Sequence, residues 1–225
     1  MKKILLSLIC LATLLSCNQN SVKIRGEIAG LNGKVVVSTI LPGTNSPTQI
    51  ASEDVSDGSI NLSTDKLKLP AYVTVDFNGK HSMNILIDTK DQTWLEGKIK
   101  FPSEIVAKGS IIKTEYNKIM ETINSKYLIE LEELNEKIEK LSKKEKLSEN
   151  GKVALNVFIL QRQSKINSKN SYISKLIQNN TQREVTLLLI QNNFEDNVDI
   201  KRKLFNSLTI TNKESFLYQK IKESL

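Results

Sequence analysis

Few side chains of this 225-residue sequence could carry out covalent, redox or acid–base chemistry. It contains two cysteines, Cys10 and Cys17, and one histidine, His81. Two cysteines cannot supply a disulfide framework or a four-cysteine zinc site, and a single histidine removes most histidine-based metal sites. His81 has no acid or second ligand at a useful spacing, so we expect it to be a surface residue. The sequence therefore predicts a non-enzyme with no catalytic residue, no metal site and no cofactor.

The chemistry that the sequence does support lies at its N-terminus. Lysines at positions 2–3 precede a mainly apolar run over residues 4–15. This run has the length of a signal-peptide core and is too short to cross a bilayer, which takes about 20 apolar residues. The run ends in Leu14 and Leu15, and Ser16 and Cys17 follow it directly. An apolar pair, a small residue and a cysteine in this order resemble the lipobox of bacterial lipoproteins.

The lipobox resemblance implies that Cys17 receives a diacylglycerol thioether, that cleavage follows Ser16, and that the new amine is acylated. Each buried methylene adds about 0.8 kcal/mol of membrane affinity, so two or three acyl chains would anchor the protein durably. Cys10 would be lost with the signal, and the mature chain would have no free thiol for disulfide chemistry. The alternative is an ordinary secretory signal followed by a chance cysteine.

Strands must dominate the first half of the mature chain, because apolar residues there alternate with a period of two between turn residues. Seven strands are predicted, over residues 22–28, 34–40, 49–55, 59–63, 71–77, 82–88 and 93–100. Short strands at this spacing are typical of an antiparallel sandwich. Trp94 alternates with its strand neighbours, and we expect it in the core, with a ligand or partner surface as the alternative.

One hairpin can be predicted in detail. A two-residue loop of Asn78 and Gly79 would pair Phe77 with Lys80, and would set apolar residues opposite polar ones along both strands. A loop of odd length restores apolar pairs. We therefore predict a three- or five-residue turn with Gly79 at positive φ.

The period changes after residue 110. Apolar residues then recur at steps of three and four, which is the pattern of an amphipathic helix. The stripe comprises Ile112, Tyr116, Ile119, Ile123, Tyr127, Leu131, Leu134, Ile138 and Leu141. After a break near residues 148–151, a second helical stretch extends to about Lys169. We predict that Val153, Val157, Leu160 and their neighbours fold back onto the stripe in an antiparallel helix hairpin.

Shorter helices are predicted to complete the chain, over residues 170–179, 183–193, 199–208 and 212–225, the last with Thr211 as its N-cap. The fold class is thus α+β, an N-terminal antiparallel β-sandwich followed by a C-terminal helical region with a long antiparallel helix hairpin. The expected organisation is a signal peptide at 1–16, a lipidated tether at 17–21, a sandwich domain at 22–108 and a helical region at 109–225.

The net charge differs between the strand-rich half and the helical half of the chain. Residues 18–107 have a net charge of −1, whereas residues 108–225 have a net charge of +6. Lysines alternate with glutamates in the helical half, which is typical of a solvated helix surface, and nucleic acid is not an expected partner outside the cytoplasm. Lys201, Arg202 and Lys203 form the densest basic cluster and are the candidates for a membrane or partner contact.

The order of strand and turn motifs resembles a known arrangement. The motifs lie at residues 23–30 (KIRGEIAG), 33–37 (GKVVV), 50–55 (IASEDV), 57–62 (DGSINL), 69–70 (LP), 85–88 (ILID), 95–97 (LEG) and 106–110 (VAKGS). They are similar to the N-terminal domain of unknown function in bacterial lipoproteins of the thiol-disulfide oxidoreductase type. In that family a thioredoxin-fold domain with a catalytic Cys-x-x-Cys follows the helices. Here the sequence stops where that domain would begin, so none of the family's catalytic residues can be carried over.

These observations predict a non-enzymatic lipoprotein of the bacterial cell envelope that acts as a binding or scaffold module. The expected location is the outer membrane, facing the periplasm, with the membrane itself as the partner of lipidated Cys17. The resemblance implies an envelope protein partner, namely a separately encoded thioredoxin-like protein. The alternative is a lipoprotein that binds a small ligand, a sugar or a peptide, in nutrient uptake.

Overall fold

The computed structural model describes residues 21–144 and 146–225. Ser16 and Cys17, with the rest of the predicted signal, lie outside the described residues. The chain divides into two compact units. Within the described part, the first unit comprises residues 21–110 and Ser215–Leu217, and the second comprises Ile111–Glu214 and Tyr218–Leu225.

The first unit is built from two four-stranded sheets. Its strands are β1 (Val22–Ala29), β2 (Gly33–Ile40), β3 (Pro47–Val55), β4 (Ser59–Thr64), β5 (Ala71–Phe77), β6 (His81–Ile87), β7 (Thr93–Lys98) and β8 (Val106–Lys108). The sheets have the strand orders β4-β1-β7-β8 and β3-β2-β5-β6. Both sheets contribute to one buried apolar cluster, with Ile24, Ile28 and Leu95 from the first sheet and Val75 and Phe77 from the second. The predicted α+β class with two packed sheets is confirmed.

One strand pair departs from the predicted antiparallel order. β1 pairs antiparallel with β4 but parallel with β7, so that Ile24 lies beside Thr93 and Ile28 beside Gly97. The prediction of a wholly antiparallel sandwich is wrong at this pair. Five strands separate β1 from β7 along the chain, and a connection of that length can return in either direction. β8 and the short 3-10 helix Pro102–Glu104 were not predicted either.

The β5–β6 hairpin has the predicted odd-length turn. Phe77 pairs with His81, Val75 with Met83 and Ala71 with Ile87, so the loop consists of residues 78–80. Gly79 has a φ of 66°, and the preceding Asn78 also has a positive φ, of 62°. The Gly79 amide donates to Asp76 Oδ1 at 2.6 Å. The alternation of apolar residues on both strands therefore determined the register, as expected for a half-buried sheet.

A short C-terminal segment belongs to the sandwich unit. The amide of Phe216 donates to the carbonyl of Lys68 at 2.9 Å, and the amide of Leu217 donates to the carbonyl of Pro70 at 2.9 Å. The Phe216 side chain packs against the sandwich core. The sandwich is thus completed by residues far along the chain, which period-two patterning could not indicate.

The second unit is helical. Its helices are α1 (Ile111–Ile123), a π-helical segment (Asn124–Leu128), α2 (Ile129–Ser142), α3 (Glu149–Gln178), α4 (Val185–Asn193), α5 (Val198–Asn206) and α6 (Phe216–Glu223), the first residues of α6 belonging to the sandwich unit. α3 runs without interruption through the position near Lys169 where we had predicted a break, because no glycine or proline lies there to end it. The last helix begins at Phe216, so Thr211 is not its N-cap.

The predicted apolar stripe of the first long helix is confirmed. Ile112, Tyr116, Ile123 and Leu131 are buried, and the other members are half-buried. α1, the π-helical segment and α2 follow one another directly and form one continuous helical run. On the outer surface of α2, Lys143 hydrogen-bonds to Glu139 and holds the pKa of that carboxyl below its ordinary value.

α2 and α3 form the predicted antiparallel hairpin, but with a different face of α3. Asn135 accepts a hydrogen bond from Arg162 Nε at 2.6 Å, and Lys137 lies over the ring of Phe158. Val153, Val157 and Leu160 are instead 62%, 43% and 69% exposed. The prediction that these three fold back onto the stripe is therefore wrong. α3 is apolar on several sides between residues 153 and 160, so hydrophobicity alone did not identify the packed side.

Within the described residues, no helix combines the length and the hydropathy that are needed to cross a membrane.

Candidate functional site

Trp94 does not lie in the core. It is 38% exposed on β7, whereas its neighbours Thr93 and Leu95 are buried. Successive strand residues face opposite sides of a sheet, so burying Thr93 and Leu95 turns Trp94 outward. The expectation of a core tryptophan is wrong, and the outward position is compatible with the alternative of a ligand or partner surface.

The three residues of the basic cluster do not form one exposed surface. Lys201 is only 5% exposed, and its Nζ donates to Ser224 Oγ at 2.8 Å. Arg202 donates to the main-chain carbonyl of Leu225, and Lys203 is exposed. Lys201 is therefore not available for a membrane or partner contact, because it is buried within α5 and its neighbours. Arg202 and Lys203 remain accessible on the helix surface.

The burial of Lys201 gives a direct test. We expect Lys201→Ala to lower the free energy of unfolding of the helical unit by about 1–3 kcal/mol, because it removes a buried side chain and its hydrogen bond. Lys203→Ala, one helical half-turn away on the exposed side, should change it by less than about 0.5 kcal/mol. Urea denaturation followed by far-ultraviolet circular dichroism measures both. Equal effects of the two substitutions would contradict the structural role of Lys201.

His81 is exposed at the start of β6, opposite Phe77. No group of three or more His, Cys, Asp or Glu side chains in the described chain is arranged to hold a metal ion.

A groove in the helical unit brings together side chains that the sequence did not single out. Its volume is about 740 Å³, which is within the range of about 300–1,000 Å³ for small-molecule sites. Most of its wall is one side of α3, and Tyr127 of the π-helical segment completes it. The lining residues are Tyr127, Leu160, Gln163, Ser164, Asn167, Ser168, Ser171, Tyr172 and Lys175. Eight of these nine side chains carry a hydroxyl, amide or ammonium group, so the wall can both donate and accept hydrogen bonds.

Two tyrosines meet at one end of this groove. The ring centroids of Tyr127 and Tyr172 are 5.7 Å apart, with an interplanar angle of 45°. Lys126 Nζ lies 4.9 Å from the centroid of the Tyr172 ring, and Lys165 Nζ lies 5.5 Å from that of Tyr127. Lys165 also forms an ion pair with Glu130. Cation–π contacts and the tilted ring pair hold both rings at the groove.

Tyr172 also lines a second cavity, of about 210 Å³. The charged residues of that cavity are Lys118 of α1, Arg183 of the segment before α4, and Glu115 of α1. Arg183 and Glu115 form an ion pair with a separation of 2.7 Å. A single aromatic side chain thus separates a hydroxyl-rich groove from a smaller cationic cavity, and we name the two cavities together the Tyr172 site.

Positive charge exceeds negative charge around the Tyr172 site. Four cationic side chains belong to it, Lys118, Lys126, Lys175 and Arg183, whereas Glu115 is the carboxylate that lines it. Within the described chain, none of the three lysines has a carboxylate at ion-pair distance. Arg183 has Glu115 as its counter-charge, whereas the three lysines have none and can attract anionic groups from solution.

The apolar stripe contained one indication of this site. From Ile119 through Ile123 and Tyr127 to Leu131, three consecutive steps of four residues exceed the 3.6-residue turn of an α-helix by about one residue in total. A π-helical turn accommodates one extra residue, and such turns are frequent at functional sites. The structure has its π-helical segment there, and this segment carries Lys126 and Tyr127. The serines and amides of α3 follow no motif and gave no such indication.

Comparisons with known proteins give no relative of this chain. No family model matches it, and no significant match is found among curated proteins or solved structures.

Proposed function

We propose that this protein is a non-enzymatic lipoprotein of the bacterial cell envelope, anchored through lipid on Cys17 and acting as a binding or scaffold module. The anchor rests on the Leu14-Leu15-Ser16-Cys17 sequence after a short signal-peptide core. The proposed location is the outer membrane, and the absence of an acidic cluster after Cys17 favours the periplasmic face over display on the cell surface.

The observation that carries a binding role is the composition of the groove on α3. Its nine lining residues include tyrosines, serines and amides but no histidine, cysteine or carboxylate. Such side chains can hold a ligand through hydrogen bonds and ring contacts. The groove therefore supports the binding part of this proposal.

The expected protein partner is a separately encoded thioredoxin-like protein of the envelope. This part of the proposal rests on the resemblance of the strand and turn motifs to the N-terminal domain of thiol-disulfide oxidoreductase-type lipoproteins. A fold-level analogy of this kind does not identify a function by itself.

A second candidate is binding of a small ligand, a sugar or a peptide, in nutrient uptake. The specific observation in its favour is the size of the groove, about 740 Å³, together with the two tyrosine rings at its end.

Crosslinking in living cells tests the binding role. A photoreactive amino acid replaces Ser168 in the groove, and in the matched control it replaces Ser142, which is exposed on α2 and does not line the groove. We expect covalent adducts from position 168 and only background from position 142, analysed by mass spectrometry. A thioredoxin-fold lipoprotein among the adducts supports the scaffold role, and an outer-membrane transporter supports uptake.

Two outcomes would overturn this proposal. Equal adduct yields at positions 168 and 142 would show that the groove has no preferred occupant. Reduction of insulin disulfides by the purified protein would contradict a non-enzymatic role, because the mature chain would then have to contain a redox-active group.

A further inference from the structure

If the proposed binding function holds, the side chains that line the Tyr172 site restrict the class of ligand that can bind there. Ser164, Ser168 and Ser171 lie on the same side of α3, where Asn167 and Gln163 flank them. Hydroxyl and amide groups both donate and accept hydrogen bonds. A ligand that offers many hydroxyl groups, each able to donate and accept, is the natural complement of this wall.

An extended peptide is a poorer complement. Peptides that bind in extended form pair their backbone with an exposed strand edge. The wall of the groove is instead the middle of α3, a continuous helix of 30 residues. The backbone amides and carbonyls of a helix interior are bonded within the helix, so they offer a peptide backbone no partners.

The two tyrosines add apolar surface to the groove. Tyr127 and Tyr172 are half-buried and both line the groove. A sugar ring has an apolar C–H face beside its hydroxyl groups, and aromatic side chains in ligand sites supply apolar contact area to such a face. Hydroxyl-rich walls and aromatic rings in one groove therefore favour a saccharide.

The cationic side chains of the site favour a saccharide that carries a negative charge. Lys118 and Arg183 line the smaller cavity on one side of Tyr172, and Lys175 lines the groove on the other. Lys126 lies over the ring itself. Arg183 is already paired with Glu115, but a neutral sugar would leave the charges of the three lysines unmatched, whereas a carboxylate or phosphate substituent would accept charge-assisted hydrogen bonds from them.

We propose that the Tyr172 site binds an acidic oligosaccharide. The sugar rings occupy the 740 Å³ groove against the serines and tyrosines, and an anionic substituent reaches the smaller cavity beside Lys118 and Arg183. No bond is made or broken in the ligand.

Isothermal titration calorimetry with the full lipidated chain in detergent tests this inference. Two acidic saccharides serve as probes, tetragalacturonate as a soluble nutrient polymer and the disaccharide of N-acetylglucosamine and N-acetylmuramic acid as a cell-wall fragment. Maltotetraose is the neutral counterpart, tetraglutamate the acidic peptide, and inorganic phosphate the bare anion. We expect at least one acidic saccharide to bind about tenfold or more tightly than each of the other three probes, and the tighter one indicates the source.

Variants locate the binding. Lys118→Gln and Lys175→Gln should each raise the Kd of the acidic saccharide about tenfold and reduce its dependence on salt concentration. Ser168→Trp should abolish binding by filling the groove. Lys203→Gln removes the same charge from α5, outside both cavities, and should leave the Kd unchanged. All four positions are exposed on helices, so the variants should fold, which circular dichroism verifies.

The outcomes separate this inference from the proposed function. Failure of both acidic saccharides to bind, or equally tight binding of maltotetraose, tetraglutamate or phosphate, overturns the inference. If adducts still form at position 168 in cells, the binding role stands with a different ligand. If neither saccharide binds and position 168 gives no adduct, both proposals fail.

Discussion

Replacing Cys17 by alanine is expected to abolish incorporation of radiolabelled palmitate into this protein. A thioether to diacylglycerol can form only on the sulfur of Cys17, and alanine supplies no nucleophile. Two or more acyl chains, at about 0.8 kcal/mol per methylene, account for the membrane affinity that the wild-type protein would then have. Metabolic labelling, immunoprecipitation and autoradiography measure the incorporation, and the expected signal of Cys17→Ala is at background.

The matched control is Cys10→Ala, which removes the other cysteine of the chain. Cys10 lies within the predicted signal, so this variant should be labelled as strongly as the wild type. Label that persists in Cys17→Ala, or that is lost in Cys10→Ala instead, would refute the assignment of the lipid to Cys17. A wild-type protein without label would point to the ordinary secretory signal that the sequence left as the alternative.

Gly26→Val is expected to lower the free energy of unfolding of the sandwich by about 3 kcal/mol or more. Gly26 is buried in β1, between Ile60 of β4 and Leu95 of β7. A Cβ atom at position 26 would lie 2.7 Å from Leu95 Cβ and closer still to the Leu95 carbonyl oxygen. The parallel strands β1 and β7 would have to separate to admit it. Urea unfolding followed by the fluorescence of Trp94, the single tryptophan, reports on this unit.

Gly79→Ala is the control variant, because it measures the cost of a positive φ at a glycine whose added Cβ meets no crowding. Gly79 has a φ of 66°, which an L-residue adopts at a cost of about 1–2 kcal/mol, but no atom lies within 4 Å of its added Cβ. Gly26 has the opposite combination, since it is crowded but has no positive φ. We therefore expect Gly26→Val to be the more damaging. A larger loss at Gly79 would mean that turn strain outweighs strand packing in this sandwich.

Sequence patterning predicted those features that depend on residues close together in the chain. The β5–β6 turn followed from the parity of apolar positions on two adjacent strands, because the wrong parity would expose every core residue of one strand. The same parity rule would have turned Trp94 outward had Thr93 and Leu95 been taken as the buried pair. We predicted a core tryptophan because Trp94 alternates with its strand neighbours, but Thr93 and Leu95 are the buried members of that alternation.

Features that depend on distant residues escaped prediction. Nothing in β1 or β7 specifies that they run parallel, and nothing near Phe216 indicates that it packs against the sandwich core. The packed side of α3 was misassigned because Val153 and Val157 are as apolar as Phe158, which α2 covers. Lysines are usually exposed, so the sequence predicts an exposed Lys201, but its side chain is buried and its Nζ donates to Ser224.

The Tyr172 site could be predicted only in part. We predicted a regular amphipathic helix there, although the three steps of four residues around Tyr127 are a signal for the π-helical turn that the structure has. The serines of α3 match no sequence motif. Only the folded hairpin brings them beside Tyr127. Lys118 and Arg183 complete the site from two further segments of the chain, which are distant in sequence from α3.

The return of residues Ser215–Leu217 to the sandwich unit has a consequence for dissecting the chain. A fragment that ends at Ser110 would contain all eight strands but would lack the backbone hydrogen bonds that Phe216 and Leu217 donate to Lys68 and Pro70. It would also expose the apolar surface against which Phe216 packs. The sandwich therefore cannot be excised as one uninterrupted segment without losing buried contacts and hydrogen bonds on which tolerance of a truncation depends.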